Sequence, residues 1–219
     1  MTSHVWWHGT PDASFQARKI VPKDSMFRAV FMTRSPLVAA YYAGPHGVVH
    51  QYRIVSSARM LDTTEDGTPL IGSRDLEDLD AFCSRTVNGG FGRLAAEYFP
   101  SGMKPGSARW DLVLLVLGQT PELGHRALTA MGYSGFIRTE WTGWARGDRQ
   151  RPVSTGTAFD HVSSMVCRFP SRPHTVAGLL DPRKLETVES RASNEISMLV
   201  ATGRMASMID PPQDTARAA

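Results

Sequence analysis

Apolar and polar positions along the chain change period several times, and each change marks an element. Val5-Trp6-Trp7-His8 sets a β-branched residue and two aromatics in a row and halts at Gly9, the pattern of a short strand. Neighbours on a strand face opposite ways, so one of Trp6 and Trp7 is expected in the core and the other beside any site. Residues 12–20 read as a short helix ended near Pro22, and residues 27–33 as a second strand rich in Val, Phe and Met. Thr33-Arg34-Ser35-Pro36 then opens a helix, with Ser35 as the capping oxygen and Pro36 at the first helical position. Gly44-Pro45 stops that helix early, and VVHQYRIV at 48–55 alternates as a strand with one covered face.

Residues 60–62 leave that strand, and 63–72 have loop composition. A capped helix from Ser73 carries Leu76, Leu79 and Cys83 as its apolar stripe, and Asn88-Gly89-Gly90 breaks it. Residues 91–99 suit another helix, and 100–107 are loop. Residues 111–117 are apolar on every side, so they fit a doubly buried strand or a core helix, and periodicity does not separate the two. A clearer helix at 121–131 puts Leu123, Ala127, Leu128 and Met131 on one side and ends at Gly132. Strands are expected at 133–140 and 161–169, a helix over 184–208, and a frayed tail from Asp210-Pro211-Pro212. The sum is an α+β chain, strands first and last with helices between.

Composition narrows this little. A chain of 219 residues, 42% hydrophobic and 21% charged, suits one domain able to bury about two thirds of its unfolded surface. Cys83 and Cys167 lie far apart and form no CxxC, which fits a reducing compartment rather than a disulfide or zinc scaffold. No basic leader with an apolar stretch opens the sequence, and the longest apolar run, 112–117, is too short to span a bilayer. The expected location is cytoplasmic, with delivery into a target cell compatible as for an injected toxin. A net charge of +3 permits a nucleic-acid or nucleotide partner without identifying one.

The candidate chemistry sits at the front of the chain. His8-Gly9-Thr10, the Phe31-Met32-Thr33 strand end and Ala39-x-x-Tyr42-Ala43 resemble the first two motifs of ADP-ribosyltransferases of the H-Y-E, diphtheria-toxin-like and poly(ADP-ribose)-polymerase-like, class. The VVHQYRIV strand and Met131-Gly132-Tyr133-Ser134-Gly135-Phe136 fit the same layout, and the likeness covers about residues 5 to 180. The resemblance implies an ADP-ribosyltransferase-like split mixed β-sheet with short peripheral helices over 1–182, followed by a C-terminal helix and flexible tail over 183–219. It implies NAD as co-substrate, no metal, and a macromolecular acceptor, protein or nucleic acid. Toxin, phage and defence effectors are settings in which such an enzyme works.

What the resemblance implies for each residue is physically coherent. Cleaving the nicotinamide–ribose bond passes through an oxocarbenium-like state, so the site must orient the ribose, hold the nicotinamide and stabilise positive charge. By the family's pattern His8 bonds the ribose, the Gly9 backbone grips the carboxamide, and Tyr42 stacks on the nicotinamide ring. Thr10 contacts the adenosine side, and Tyr41 forms a second wall or packs in the interior. Consecutive residues on a helix point about a hundred degrees apart, so Tyr41 and Tyr42 do not share one role.

The third motif departs from the pattern. The family's catalytic glutamate opens a late strand, whereas the late strand expected here begins Asp160-His161 and holds no glutamate. Glu140, the sole glutamate between Glu122 and Glu186, is the favoured candidate, with Asp160, His161 and no acidic catalyst as alternatives. Glu97 and Glu122 read as helix-surface charges. His46 and His50 stand four apart, but the strand-like residues between them and the lack of a nearby third ligand argue against a metal. Arg146, Arg149 and Arg151 with Trp141 and Trp144 make a basic aromatic loop, suited to acceptor recognition or simply solvated. Three readings follow: a mono-ADP-ribosyltransferase, a catalytically silent module of that fold binding NAD, ADP-ribose or nucleic acid, and an RNA phosphate-processing relative, which needs a basic site.

Overall fold

The computed structural model describes residues 5–15, 26–64, 73–98, 109–141 and 173–205. These form an α+β fold with a seven-stranded mixed sheet and six helices. The strands are β1 (Val5–Thr10), β2 (Val30–Thr33), β3 (Val48–Ile54), β4 (Met60–Asp62), β5 (Gly135–Trp141), β6 (Pro173–Leu179) and β7 (Leu185–Ala192). The helices are α1 (Pro36–Ala43), α2 (Ser73–Ser84), α3 (Gly90–Ala96), α4 (Trp110–Gly118), α5 (Pro121–Ala130) and α6 (Ser193–Ala201). The sheet order is β4-β5-β6-β2-β1-β3-β7, with β4 and β5 parallel and every other pair antiparallel.

The join between β2 and β1 is the feature that positions the site. β1 is registered with β3 along its whole length, from Val5↔Arg53 to Thr10↔Val48, and β2 with β6 from Val30↔Leu179 to Thr33↔Val176. Between β1 and β2 a single position is registered, Trp7↔Thr33. The two strands therefore touch once and diverge, leaving a fork in the middle of the sheet.

Helix α1 covers one side of that fork. Ser35 caps it, its Oγ accepting the Val38 N–H at 3.4 Å, with Pro36 in the first turn. Leu37, Ala39, Ala40 and Ala43 pack against Val49 of β3 and against Ile196 and Val200 of α6. A Cβ on Gly9 would lie 1.7 Å from the Ala39 carbonyl oxygen, and one on Gly47 would lie 2.1 Å from that of Ala43. Only glycine lets the helix come this close. The opposite face of the sheet buries Trp6, Val30, Met32, Tyr52, Ala177, Leu179 and Leu185. A separate core joins α2, α3, α4 and α5 to Phe27 and Phe136.

Several expectations needed correction. Residues 27–33 are not all strand: Met26–Arg28 is a 3-10 turn, with Phe27 at φ 60° and Arg28 at φ 49°. Tertiary contact accounts for the turn. The fully buried Phe27 ring packs 4.9 Å from that of Phe136, and its carbonyl accepts a bond from His125 Nδ1 at 3.0 Å. Residues 111–117, left open between a strand and a core helix, are helical, within α4. Residues 60–62 form the edge strand β4 beside β5. The helix expected over 184–208 begins only at Ser193. Residues 185–192 are β7, registered with β3 from Ile54↔Leu185 to Val48↔Ala192. Here pairing along a waiting strand outweighs the helix-forming Leu, Glu and Arg of LETVESRA. The boundary expected at residue 182 thus falls between two strands of one sheet. The strand expected at 161–169 lies outside the described residues.

Candidate functional site

The fork between β1 and β2 opens into a cavity of about 310 Å³, a modest volume for a ligand pocket. Its lining combines residues far apart in sequence. β1 gives Trp7, His8 and Gly9, β2 gives Phe31, Met32 and Thr33, and α1 gives Ala39 and Tyr42; Arg138 and Glu140 come from β5, His174 and Val176 from β6. Strand register explains the convergence. Glu140↔His174, Arg138↔Val176 and Thr33↔Val176 are cross-strand pairs, so all five side chains rise from one sheet face, the face that also carries Trp7.

His8 is held in one tautomer. Its Nδ1 lies 2.6 Å from the Phe31 carbonyl oxygen, and a carbonyl only accepts, so Nδ1 carries the hydrogen. Nε2 is then left as an acceptor. Burial pushes the imidazole down to about 4, against the opposing pull of the Phe31 carbonyl and with a small contribution from His50. His8 is a neutral hydrogen-bond acceptor at physiological pH. Behind it the Phe15 ring packs at 4.7 Å and the His50 ring at 6.4 Å.

Glu140 and Arg138 form an ion pair along β5, Arg138 Nη2 donating to Glu140 Oε1. The guanidinium also sits 6.0 Å from the Phe31 ring centre and 5.9 Å from that of Phe136, which fix its orientation. Tyr42, half-exposed, stands at the rim of the cavity. Partial desolvation first, and then the Glu140 carboxylate, raise its phenol above the ordinary value, so it stays protonated.

Of the residues singled out in the sequence, His8, Gly9, Tyr42 and Glu140 line this one cavity. Thr10 and Tyr41 do not. Thr10 is buried, and its Oγ1 accepts the Asp12 N–H at 3.1 Å in the turn after β1. Tyr41 packs against the core shared by α1 and α6. Trp6 is buried in the core and Trp7 borders the cavity. His46 is exposed in the turn before β3, while His50 faces Ser190, 2.8 Å away. Glu122 pairs with Arg28 at 3.0 Å, and Glu97 is exposed. Asp160, His161 and the 142–157 segment lie outside the described residues, as does the Trp141 side chain. Among the described residues no group of three His, Cys, Asp or Glu stands ready for a metal, and no helix is long and apolar enough to cross a membrane.

Arg138 and His174 were missed by sequence reasoning. Arg138 was within reach, because it stands two residues before Glu140 on the same strand and so shares its face. Nothing local marked His174, whose strand was not anticipated. No family model matches the chain, and neither a curated protein nor a solved structure does.

Proposed function

We propose that the protein is an NAD-dependent mono-ADP-ribosyltransferase, transferring ADP-ribose to a protein or nucleic-acid acceptor and releasing nicotinamide. One observation carries the reading. His8, Gly9, Tyr42 and Glu140, chosen from stretches up to 132 residues apart in sequence, line a single cavity where the sheet forks. The forked arrangement, with β4-β5-β6-β2 on one side and β1-β3-β7 on the other, supports the split sheet of that class as the finer description of the fold.

The chemistry follows from the side chains. His8 Nε2, which only accepts, takes a hydrogen bond from a ribose hydroxyl. The Tyr42 ring covers the nicotinamide at the rim, its neutral hydroxyl directed toward solvent or substrate. Glu140 keeps one carboxylate oxygen on Arg138 and presents the other to the ribose, where its charge stabilises the oxocarbenium ion as nicotinamide departs. The cavity suits the nicotinamide riboside end of NAD, and the adenylate extends beyond it.

The test is incubation with NAD labelled on its adenylate, in the presence of cell lysate, following both nicotinamide and label. Nicotinamide release with label entering macromolecules is expected, and Glu140→Gln should lower release about 10²–10³-fold. Absence of nicotinamide release under every condition overturns the enzyme reading. A Glu140→Gln variant of full rate removes the carboxylate from the mechanism.

The second reading is the catalytically silent module, and the Arg138–Glu140 pair is what favours it. A guanidinium beside the carboxylate offsets the negative charge an oxocarbenium ion needs. Saturable binding of NAD or ADP-ribose without nicotinamide release would decide for it.

A further inference from the structure

Resting on that transferase reading, we infer that Arg138 binds the diphosphate of NAD and so sets the site's preference for the dinucleotide over bare nicotinamide riboside. A line of register pairs, Trp7↔Thr33, Thr33↔Val176 and Val176↔Arg138, crosses β1, β2, β6 and β5, and all four side chains line the cavity. Neighbouring strands lie about 4.8 Å apart, so the row runs about 14 Å, from an indole at one end to a guanidinium at the other. It is long enough for a ligand that reaches past its ribose.

Position along β5 points the same way. Glu140, which faces the ribose in the proposed reaction, and Arg138 stand on one face, two residues and about 7 Å apart along the strand. In NAD the diphosphate hangs from the far side of that same ribose, one sugar ring from the bond to be broken. A carboxylate at the sugar therefore puts the guanidinium at the phosphates. Charge demands it as well. The diphosphate is a dianion, Glu140 adds a further negative charge, and Arg138 is the one Arg or Lys among the described lining residues. Both side chains of the pair are 23% exposed, so a ligand in the cavity can reach them. A guanidinium has five N–H donors in a planar fork, a geometry that serves a carboxylate on one edge and a phosphate on the next.

The arrangement gives the Arg138–Glu140 pair a use in the transferase. Alone, the guanidinium offsets the carboxylate. With the diphosphate beside it the charges alternate, and net negative charge returns around the ribose as the oxocarbenium ion forms. The bond that breaks joins ribose C1 to the nicotinamide nitrogen, and its electron pair leaves with nicotinamide. The acceptor bonds to C1 and releases its proton to solvent, while Arg138 neither gains nor loses one. Interaction at the diphosphate thus acts at the sugar, and a substrate lacking it should lose kcat as well as affinity.

The experiment uses the full chain and compares NAD, nicotinamide mononucleotide and nicotinamide riboside, reading Kd by calorimetry and nicotinamide release at saturation. Wild type should bind NAD and the mononucleotide about 10-fold or more tighter than the riboside, and release nicotinamide faster from NAD. Arg138→Met keeps an apolar stem beside Phe31 and Phe136. It should raise the Kd for NAD about 10–100-fold and change that for the riboside less than about twofold. Arg138→Lys keeps the charge without the fork and should retain part of the preference. Should neither variant fold, wild type decides: a riboside bound as tightly as the mononucleotide overturns the inference. Arg138→Met that weakens NAD and riboside equally, or weakens neither, also overturns it and leaves the transferase reading intact. A wild-type protein that binds neither NAD nor the mononucleotide overturns both. One that binds NAD with this preference and releases no nicotinamide overturns the transferase reading alone.

Discussion

His8 couples the stability of the site to pH, and the sign is fixed by its surroundings. Buried in the fork with its Nδ1 hydrogen on the Phe31 carbonyl, the imidazole titrates at about 4 rather than at its ordinary 6.5. The unfolded chain therefore takes up a proton on His8 before the folded chain does. Stability is unaffected by this group above about pH 6.5, is lost as pH falls through the window from 6.5 to about 4, and changes no further below it. A displacement of this size is worth on the order of 3 kcal/mol, enough to see in the urea midpoint. His50 is displaced in the same direction by burial and adds to the slope. A His8→Gln variant should lose part of the decline between pH 6.5 and 4.5 and keep the part due to His50. An unchanged decline would mean that His8 titrates normally. His8 and Tyr42 were legible in sequence because each sits in a short motif with its element around it. Glu140 was legible as an isolated carboxylate at a strand end, and its partner Arg138 is visible only once β5 is known to put both on one face.

Helix α1 shows which elements a sequence can announce. Its Ser35-Pro36 start and Gly44 stop are local chemistry, and both ends fall where that chemistry places them. Ser35→Ala removes the oxygen that accepts the Val38 N–H and should cost about 1 kcal/mol, a fall in Tm of about 2–4 °C for a chain of this size. Gly9→Ala should do more. Its Cβ would meet the Ala39 carbonyl at 1.7 Å, and that backbone is held in place by α6, where Ser193 Oγ donates to the Ala40 carbonyl at 3.0 Å. The helix must move off β1, at a cost of about 3 kcal/mol or more, and must carry Tyr42 away from the cavity. Thermal melting reads the first effect and NAD binding the second; a Gly9→Ala protein with wild-type Tm would show that α1 has slack. The glycine whose backbone was expected to grip the carboxamide is thus also required by a helix. The sequence pattern could not show this, because α1 and β1 meet only through tertiary packing. The 3-10 turn at Phe27 and the strand β7 were hidden for the same reason: Phe27 answers to Phe136 and His125, and β7 to β3.

At the scale of the molecule, the two halves of the sheet depend on one another through the β1–β2 contact, and the last described elements complete one half. β7 closes the edge of β3, and α6 covers the face of α1 that does not rest on β1. Leu185, Ile196 and Val200 are at most 5% exposed. Burying three such side chains is worth about 1.5–3 kcal/mol each, and without them Val49 and the alanines of α1 would also meet water. That sum is comparable with the entire net stability of an ordinary domain, about 5–15 kcal/mol. A chain ended at Asp181, close to the boundary the sequence suggested, should therefore not behave as a stable shortened domain. It should lose its cooperative thermal transition together with the NAD binding proposed for the full chain, because β3 would be left as a bare edge and α1, which carries Tyr42, would lose one of its two supports. Circular dichroism melting with calorimetric titration of NAD checks this. A truncated chain that melts cooperatively and binds NAD as the full chain does would show that residues 1–181 are self-sufficient, and that β7 and α6 are additions to the sheet rather than part of what holds the fork in shape.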